Sequence, residues 1–294
     1  MTDSLVSRRA GVAVQVEGRP RRRSPLTWFV LVIAGFLALA MSSPFLLMVL
    51  NAFKTGEDYS SHGPIAWPRS FSLDAFTNYL SLVDFPVALW NSILISTAVA
   101  FGGVALGLLS AYPIGVGRIR GSGVILAALL LSTMLPHEAL IYPLFYGAQA
   151  THTFNTVWSV VIVFVVLQGA FGTYLLASVM GTMPKEILEA AAMDGASRWQ
   201  ILWRIVLPIL RPTLSVLLVF FFIWTWNEFY IPVVLLADQS AQTVPIALST
   251  LRGQHSIDIT VLNAGSLLSL LPTLVFFLIF QRTLNRGVTA GAVK

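Results

Sequence analysis

Residues 87–116, VALWNSILISTAVAFGGVALGLLSAYPIGV, contain no Asp, Glu, Lys or Arg. About 20 apolar residues in a helix are enough to cross roughly 30 Å of hydrocarbon, so this run is long enough to cross a membrane once. Working outward, further apolar runs of that length occupy 26–50, 123–146, 155–182, 208–236 and 262–284. The reading is an all-α polytopic membrane protein with six transmembrane helices. Composition agrees: 56% of the residues are hydrophobic, 11% are charged, and the mean hydropathy is +0.79. Soluble domains carry about twice that share of charge. With no cysteine, disulfides and thiolate metal sites are excluded.

The net charge of +5 does not point to nucleic acid, because the basic residues sit beside apolar runs rather than along one soluble face. With the N-terminus inside, Arg8, Arg9, Arg19, Arg21, Arg22, Arg23, Arg118, Arg120, Lys185, Arg198, Arg204, Arg211, Arg282, Arg286 and Lys294 fall in the cytoplasm. Only Lys54, Arg69 and Arg252 fall outside. This positive-inside bias predicts a multi-pass protein of a bacterial cytoplasmic (inner) membrane with both termini in the cytoplasm. Residues 1–25, polar and aperiodic, are expected to be a disordered cytoplasmic tail. Ala38-Leu39-Ala40 imitates a signal cleavage site, but the apolar run continues to Leu50, so the first span is expected to stay as an anchor. Loops 51–86 and 237–261 then lie outside, the first predicted to form short helices at the membrane surface.

Between the fourth and fifth spans lies a polar hairpin, 183–207. Met183 to Met193 is rich in Ala, Leu and Glu with Pro184 near its start, Gly195 stops that helix, and a second is expected from about Ser197 to Leu207. Its order is Glu189-Ala190-Ala191, then Gly195, then Ile205, Leu207 and Pro208. This resembles the "EAA" cytoplasmic loop of binding-protein-dependent ABC import permeases, the surface gripped by a separate ATPase. Asn51 to Thr55, Asn78-Tyr79, Asn91-Ser92, Ala111-Tyr112, Trp226-Asn227 and the tail from Gly287 to Lys294 are similar to the carbohydrate-uptake branch, including maltose-type permeases. Family members often carry two adjacent acids at the motif's start. Here Leu188 precedes Glu189, and Glu186 sits one turn earlier on a similar face.

The resemblance implies the type I importer permease fold over 26–294, with Glu186, Glu189, Ala190, Ala191, Asp194, Gly195, Ile205, Leu207 and Pro208 coupling to the ATPase. Glu189 and Asp194 are expected to meet basic groups on the partner, or Arg198 and Arg204 within the hairpin. It further implies two ATPase subunits that carry ATP and Mg, a second permease subunit as a heterodimer partner, and an external solute-binding protein. By position alone, Arg252, Gln254 and His255 inherit a docking role toward that binding protein. From the sequence alone a homodimer stays open. The chain itself needs no cofactor or metal.

No G-x-x-x-x-G-K-[ST] run occurs, so nothing here cradles ATP phosphates. His137-Glu138 lacks the second His of a zinc protease motif, Ile141 standing in its place, and Ser197 lacks the glycine of a nucleophile elbow. The chain is read as a non-enzymatic permease subunit. Ionisable groups in hydrocarbon cost roughly 2.5–3.5 kcal/mol, so His137, Glu138 and Glu228 are expected to face a cavity or each other. Tyr142, Trp224, Trp226, Asn227 and Tyr230 surround them. Aromatic faces cover the C–H patches of a sugar while amide and carboxylate oxygens accept its hydroxyl protons, so these eight residues are the candidate substrate path. Gly102, Gly103 and Gly107 read as close helix packing. The reading is half of an ATP-driven sugar importer, embedded in lipid. The alternatives are the same machine for a glycerol-phosphate compound, an amino acid or an anion, or a scaffold that does not transport.

Overall fold

The computed structural model describes residues 25–117, 119–251 and 258–292. Nearly all of the expected tail 1–25, and the docking candidates Arg252, Gln254 and His255, lie outside the described residues. The chain divides into two compact units, residues 1–46 and 47–294. Among the described residues all regular elements are helices.

The first unit holds most of α1 (Pro25–Ala52). This helix has the highest mean hydropathy of the spans, 2.3.

The second unit continues with two short helices, α2 (Gly56–His62) and α3 (Asp74–Leu82), and a long one, α4 (Phe85–Gly115). Next come α5 (Ser122–Thr133), α6 (Ile141–Ala150) and α7 (Val157–Gly181). The hairpin is α8 (Lys185–Met193) and α9 (Arg198–Ile201), followed by α10 (Leu207–Trp226), α11 (Tyr230–Leu235), α12 (Val244–Thr250) and α13 (Ile259–Ala292). Among the described residues five helices are long and apolar enough to cross a membrane, and the bent pair Ser122–Thr133 with His137–Ala150 makes up to six.

The core is the junction of α4, α7 and α10, where Ala111, Leu176, Met180, Leu210 and Phe221 are buried together. Glycines make the approach close. A Cβ on Gly107 would come within 3.1 Å of the Gly172 backbone, and one on Gly103 or Gly172 would come within 3.3 Å of the Phe221 ring. The notch they leave is filled by that ring, which is fully buried.

Two spans differ from the sequence reading. The run 123–146, expected as one crossing, is broken: α5 and the helical segment from His137 are bent by 92°. Pro136 at the break has φ −64° and ψ 128°, supplies no N–H and disfavours helix at Leu135, so His137–Leu140 restarts as a 3-10 turn. The run 208–236 is likewise α10 and α11, interrupted at Asn227–Phe229. At its other end the expected boundary between hairpin and span is absent. Arg198–Trp226 is one helical rod, with a π-turn at Leu202–Val206. Pro208 has no N–H for the Arg204 carbonyl, and the π-turn absorbs the mismatch, the Leu207 N–H bonding Leu202 O instead.

The loops after α1 and between α11 and α12 are built from buried polar contacts. Lys54 is fully buried and donates through Nζ to Gly63 O (2.9 Å), while Asp58 Oδ2 accepts from the Arg69 N–H (3.2 Å), so together they tie down the turn after α2. Tyr79 of α3 is buried against α13, and that burial pushes its phenol above its usual pKa. At the start of α4, Asn91 Nδ2 donates to Ser240 O (2.9 Å) and Gln242 O (3.1 Å), and Ser92 Oγ accepts from the Val244 N–H (2.9 Å).

Gly107→Ala should lower the thermal midpoint of the purified protein by several degrees, since the added methyl meets backbone. Gly123→Ala, where nothing lies within 4 Å of the added atom, should leave the midpoint within a degree or so. Size-exclusion chromatography after heating reads both.

Candidate functional site

Two regions concentrate polar chemistry, and the rod Arg198–Trp226 has one at each end. The first is the hairpin. Gly195 has φ +79°, and around it the Ala196 N–H reaches Ala191 O (3.0 Å) and the Gly195 N–H reaches Ala192 O (3.1 Å). This is the left-handed stop that glycine favours. Ser197 then opens the second helix with a reciprocal capping box: its N–H donates to Gln200 Oε1 (2.7 Å), and its Oγ accepts from the Gln200 N–H (3.3 Å). The local sequence therefore fixes the turn without help from a partner.

The faces of α8 divide the residues expected to act together. Leu188 and Ala191 pack on the core beneath. Lys185, Leu188, Glu189 and Ala192 line a cavity of about 710 Å³ against Tyr112, Val116 and Ile119 at the end of α4. Glu186, Ala190, Asp194 and Gly195 are exposed, as are Ile187 and, at 88%, Met193. Glu189 lines the cavity beside α4 and is itself exposed, as Glu186 and Asp194 are. Asp194, Gly195, Arg204 and Ile205 line a second recess of about 260 Å³. Neither Glu189 nor Asp194 is paired with Arg198 or Arg204, since the sole ion pair among the described residues joins His62 and Asp58. Leu207 and Pro208 lie half-buried where the rod enters the core. Exposed Trp199 and Trp203 of the second hairpin helix meet edge to face at 5.6 Å, an apolar pair that the sequence reading did not single out. Tyr112 Oη donates to Arg198 O (2.9 Å), tying the hairpin to α4.

The second region lies where the two broken spans adjoin, α11 packing on the 3-10 turn and on α6. His137, half-buried, stacks on Trp224 at 6.4 Å, and both line a cavity of about 190 Å³. Gln168 of α7 and the hydroxyl residues Ser132 and Thr133 line it too. Gln168 is 3% exposed; its Nε2 donates to Thr225 Oγ1 (2.8 Å) and its Oε1 has no partner among the described residues. An unpaired buried carbonyl costs about 1–3 kcal/mol, which any hydroxyl donor admitted there would offset. Of the amides in the spans the sequence reading took up Asn227 but not Gln168, the only Asn or Gln in α7.

The remaining substrate-path candidates are dispersed. Glu138, Tyr142, Asn227 and Tyr230 are exposed, Asn227 returning its Nδ2 to Ile223 O (2.7 Å). Glu228 accepts the Tyr230 N–H (3.2 Å) and so caps α11. Trp226 is buried and stacked on Phe222, which stacks in turn on Phe276 of α13. Among the described residues no three His, Asp or Glu converge as a metal site would require.

Residues 103–290 match the family described as binding-protein-dependent transport system inner membrane component. The chain is similar to the trehalose/maltose transport system permease protein MalG of Thermococcus litoralis, with 30% identity over 270 residues covering 90% of this chain and 96% of that one. It is 28% identical over 284 residues to the arabinooligosaccharides transport system permease protein AraQ of Halalkalibacterium halodurans, covering 93% and 99%. Among solved structures, one chain of a bacterial ABC transporter involved in the import of the acidic polysaccharide alginate shares the fold, with TM-score 0.73 and 20% identity over 87% of this chain and 95% of that one. A second structure, of bacterial alginate ABC transporter in complex with alginate pentasaccharide-bound periplasmic protein, gives TM-score 0.64 and 16% identity over 88% and 95%.

Tyr112→Phe removes the hydrogen bond that ties the hairpin to α4, worth about 1 kcal/mol. Amide hydrogen exchange across 185–200 should accelerate roughly fivefold while exchange in α7 stays unchanged.

Proposed function

The chain belongs to the family of binding-protein-dependent transport system inner membrane components, and on that premise we propose that it forms one transmembrane half of an ATP-driven sugar importer. It is a multi-pass permease subunit, and the relatives it covers almost end to end are named for sugars. The reading adds a second permease subunit as heterodimer partner, two ATPase subunits holding ATP and Mg²⁺, and an external binding protein. Catalysis belongs to the ATPases, and this chain carries none of it. The asymmetry of Lys and Arg supports placing both termini and the hairpin in the cytoplasm.

The observation that carries the proposal is the rod Arg198–Trp226, 29 residues and so about 40 Å long. One end is the exposed hairpin and the other is the wall holding Trp224 against His137 and Gln168. A push on Glu186, Ala190, Asp194, Gly195 and Ile205 moves that wall as a lever does, with Ala191, Leu207 and Pro208 seating it in the core and Glu189 bearing on α4. A 190 Å³ cavity is smaller than the roughly 300–1,000 Å³ of an enclosed ligand site, which suits one side of a pathway completed by a second subunit. His137, Glu138 and Glu228 are the ionisable groups at the two breaks, and none is a permanent cation, which favours a neutral polyol over an anion. Tyr142, Trp226, Asn227 and Tyr230 flank the same breaks as further candidates for the path. The outer loop with Arg252, Gln254 and His255 is assigned to the binding protein by its place before the last span.

In liposomes containing the full complex, Gly195→Asp should cut sugar uptake at least roughly tenfold while assembly persists. Nothing lies within 4 Å of the added Cβ, and Asp tolerates positive φ better than most residues, so the loss arises at the partner. Unchanged uptake, or labelling of 185–200 from outside, would overturn the coupling role. Gln168→Leu should retain assembly and basal ATP hydrolysis yet reduce uptake several-fold; normal uptake would return Gln168 to packing.

A further inference from the structure

The cavity of about 710 Å³ between α8 and the end of α4 is not part of the outward coupling face. Its walls include apolar Val116, Ile119, Leu188 and Ile201, while Lys185, Arg198 and Glu189 supply two positive charges and one negative. None of the three is in an ion pair, the sole pair among the described residues being His62 with Asp58. All three are exposed, while Leu188 is half-buried and Ile201 buried, so charge borders an apolar wall, a lining that matches a ligand charged at one end and greasy at the other. The cavity lies where α4, 31 residues long and free of charge, reaches its last turn at Tyr112 and Pro113, which is the level of the headgroup layer. Its volume falls within the range of small-molecule sites.

We propose that this cavity seats the headgroup of an amine-bearing glycerophospholipid, its phosphate between Lys185 and Arg198, its ammonium toward Glu189, and its acyl chains leaving along α4. Basic pockets between helices at the cytoplasmic side hold lipid phosphates in this way, and a carboxylate beside them selects a zwitterion over a plain anion. The bound lipid props the hairpin from behind: the face of α8 it touches is the one opposite Glu186, Ala190 and Asp194. The inference rests on the proposed placement of the hairpin at the inner headgroup layer.

Native mass spectrometry of the chain, purified in detergent with the subunits that accompany it, tests this without measuring transport. Titrated with phosphatidylethanolamine, the wild type should retain adducts, and the double variant K185Q/R198Q should lose them roughly tenfold or more. Glu189→Gln should keep lipid but lose the preference for phosphatidylethanolamine over phosphatidylglycerol. The narrow, low charge-state envelope of each variant, read in the same spectrum, reports that the protein is folded. Equal adducts in wild type and K185Q/R198Q would overturn the proposal. So would displacement of the lipid by equimolar glycerophosphoethanolamine, which has no chains and would mark a soluble ligand. Because no ATPase activity enters the readout, a failed coupling role leaves this result standing, and the reverse also holds.

Discussion

Phe221 is held in a notch left by two absent side chains, those of Gly103 on α4 and Gly172 on α7, and the geometry of the molecule follows from that contact. In a bilayer the tails are as apolar as leucine, so burying hydrocarbon gives helices little reason to associate, and close packing must supply it. The ring locks α10 to the α4–α7 pair in its last third, one turn before Trp224. Ile201, Leu202, Val206 and Leu210 seat the rest of the rod in the same core, so one end runs out into the hairpin and the other reaches the cavity beside His137.

The π-turn at Leu202–Val206 lets that arrangement be continuous. A proline at 208 in a regular helix would leave the Arg204 carbonyl without a donor and crowd it, and a kink or a separate helix is the usual outcome. Here one wider turn takes up the misfit, buried Leu202 and Val206 hold it against the core, and the helix axis carries on. The two true breaks, at Pro136 and at Asn227–Phe229, fall near the other end of the rod, and His137, next to the first, lines the cavity of about 190 Å³.

Much of this could be read from the residues. Uninterrupted apolar runs mark the spans because backbone groups in lipid must be satisfied within the helix, and Gly195 marks the hairpin turn because left-handed backbone favours glycine. Pro136 was visible, but its effect was not: a proline is equally compatible with a kinked helix and with a bend of 92°, and packing against α11 decides between them. The rod escaped for the opposite reason, since Pro208 reads as a helix start and only the tertiary fit of Leu202 and Val206 turns it into an interior residue. Trp226 and Trp224 are two positions apart and look alike in sequence. Helical spacing points them to different sides, one into the stack with Phe222 and the other to the cavity. Gln168 needed the structure, because the cost of its unpaired oxygen depends on what surrounds it.

Asn91 and Ser92 show what the fold asks of its own synthesis. Their bonds to Ser240, Gln242 and Val244 join points 149 to 152 residues apart, across three intervening spans. When the second span is made, the segment that will satisfy its first turn has not yet been translated. That amide must rely on water until the fifth span has followed, and only then does this end of the bundle close. The earliest helices are made long before they are finished, and a ribosome stalled between them leaves a product whose gap sits at the start of α4.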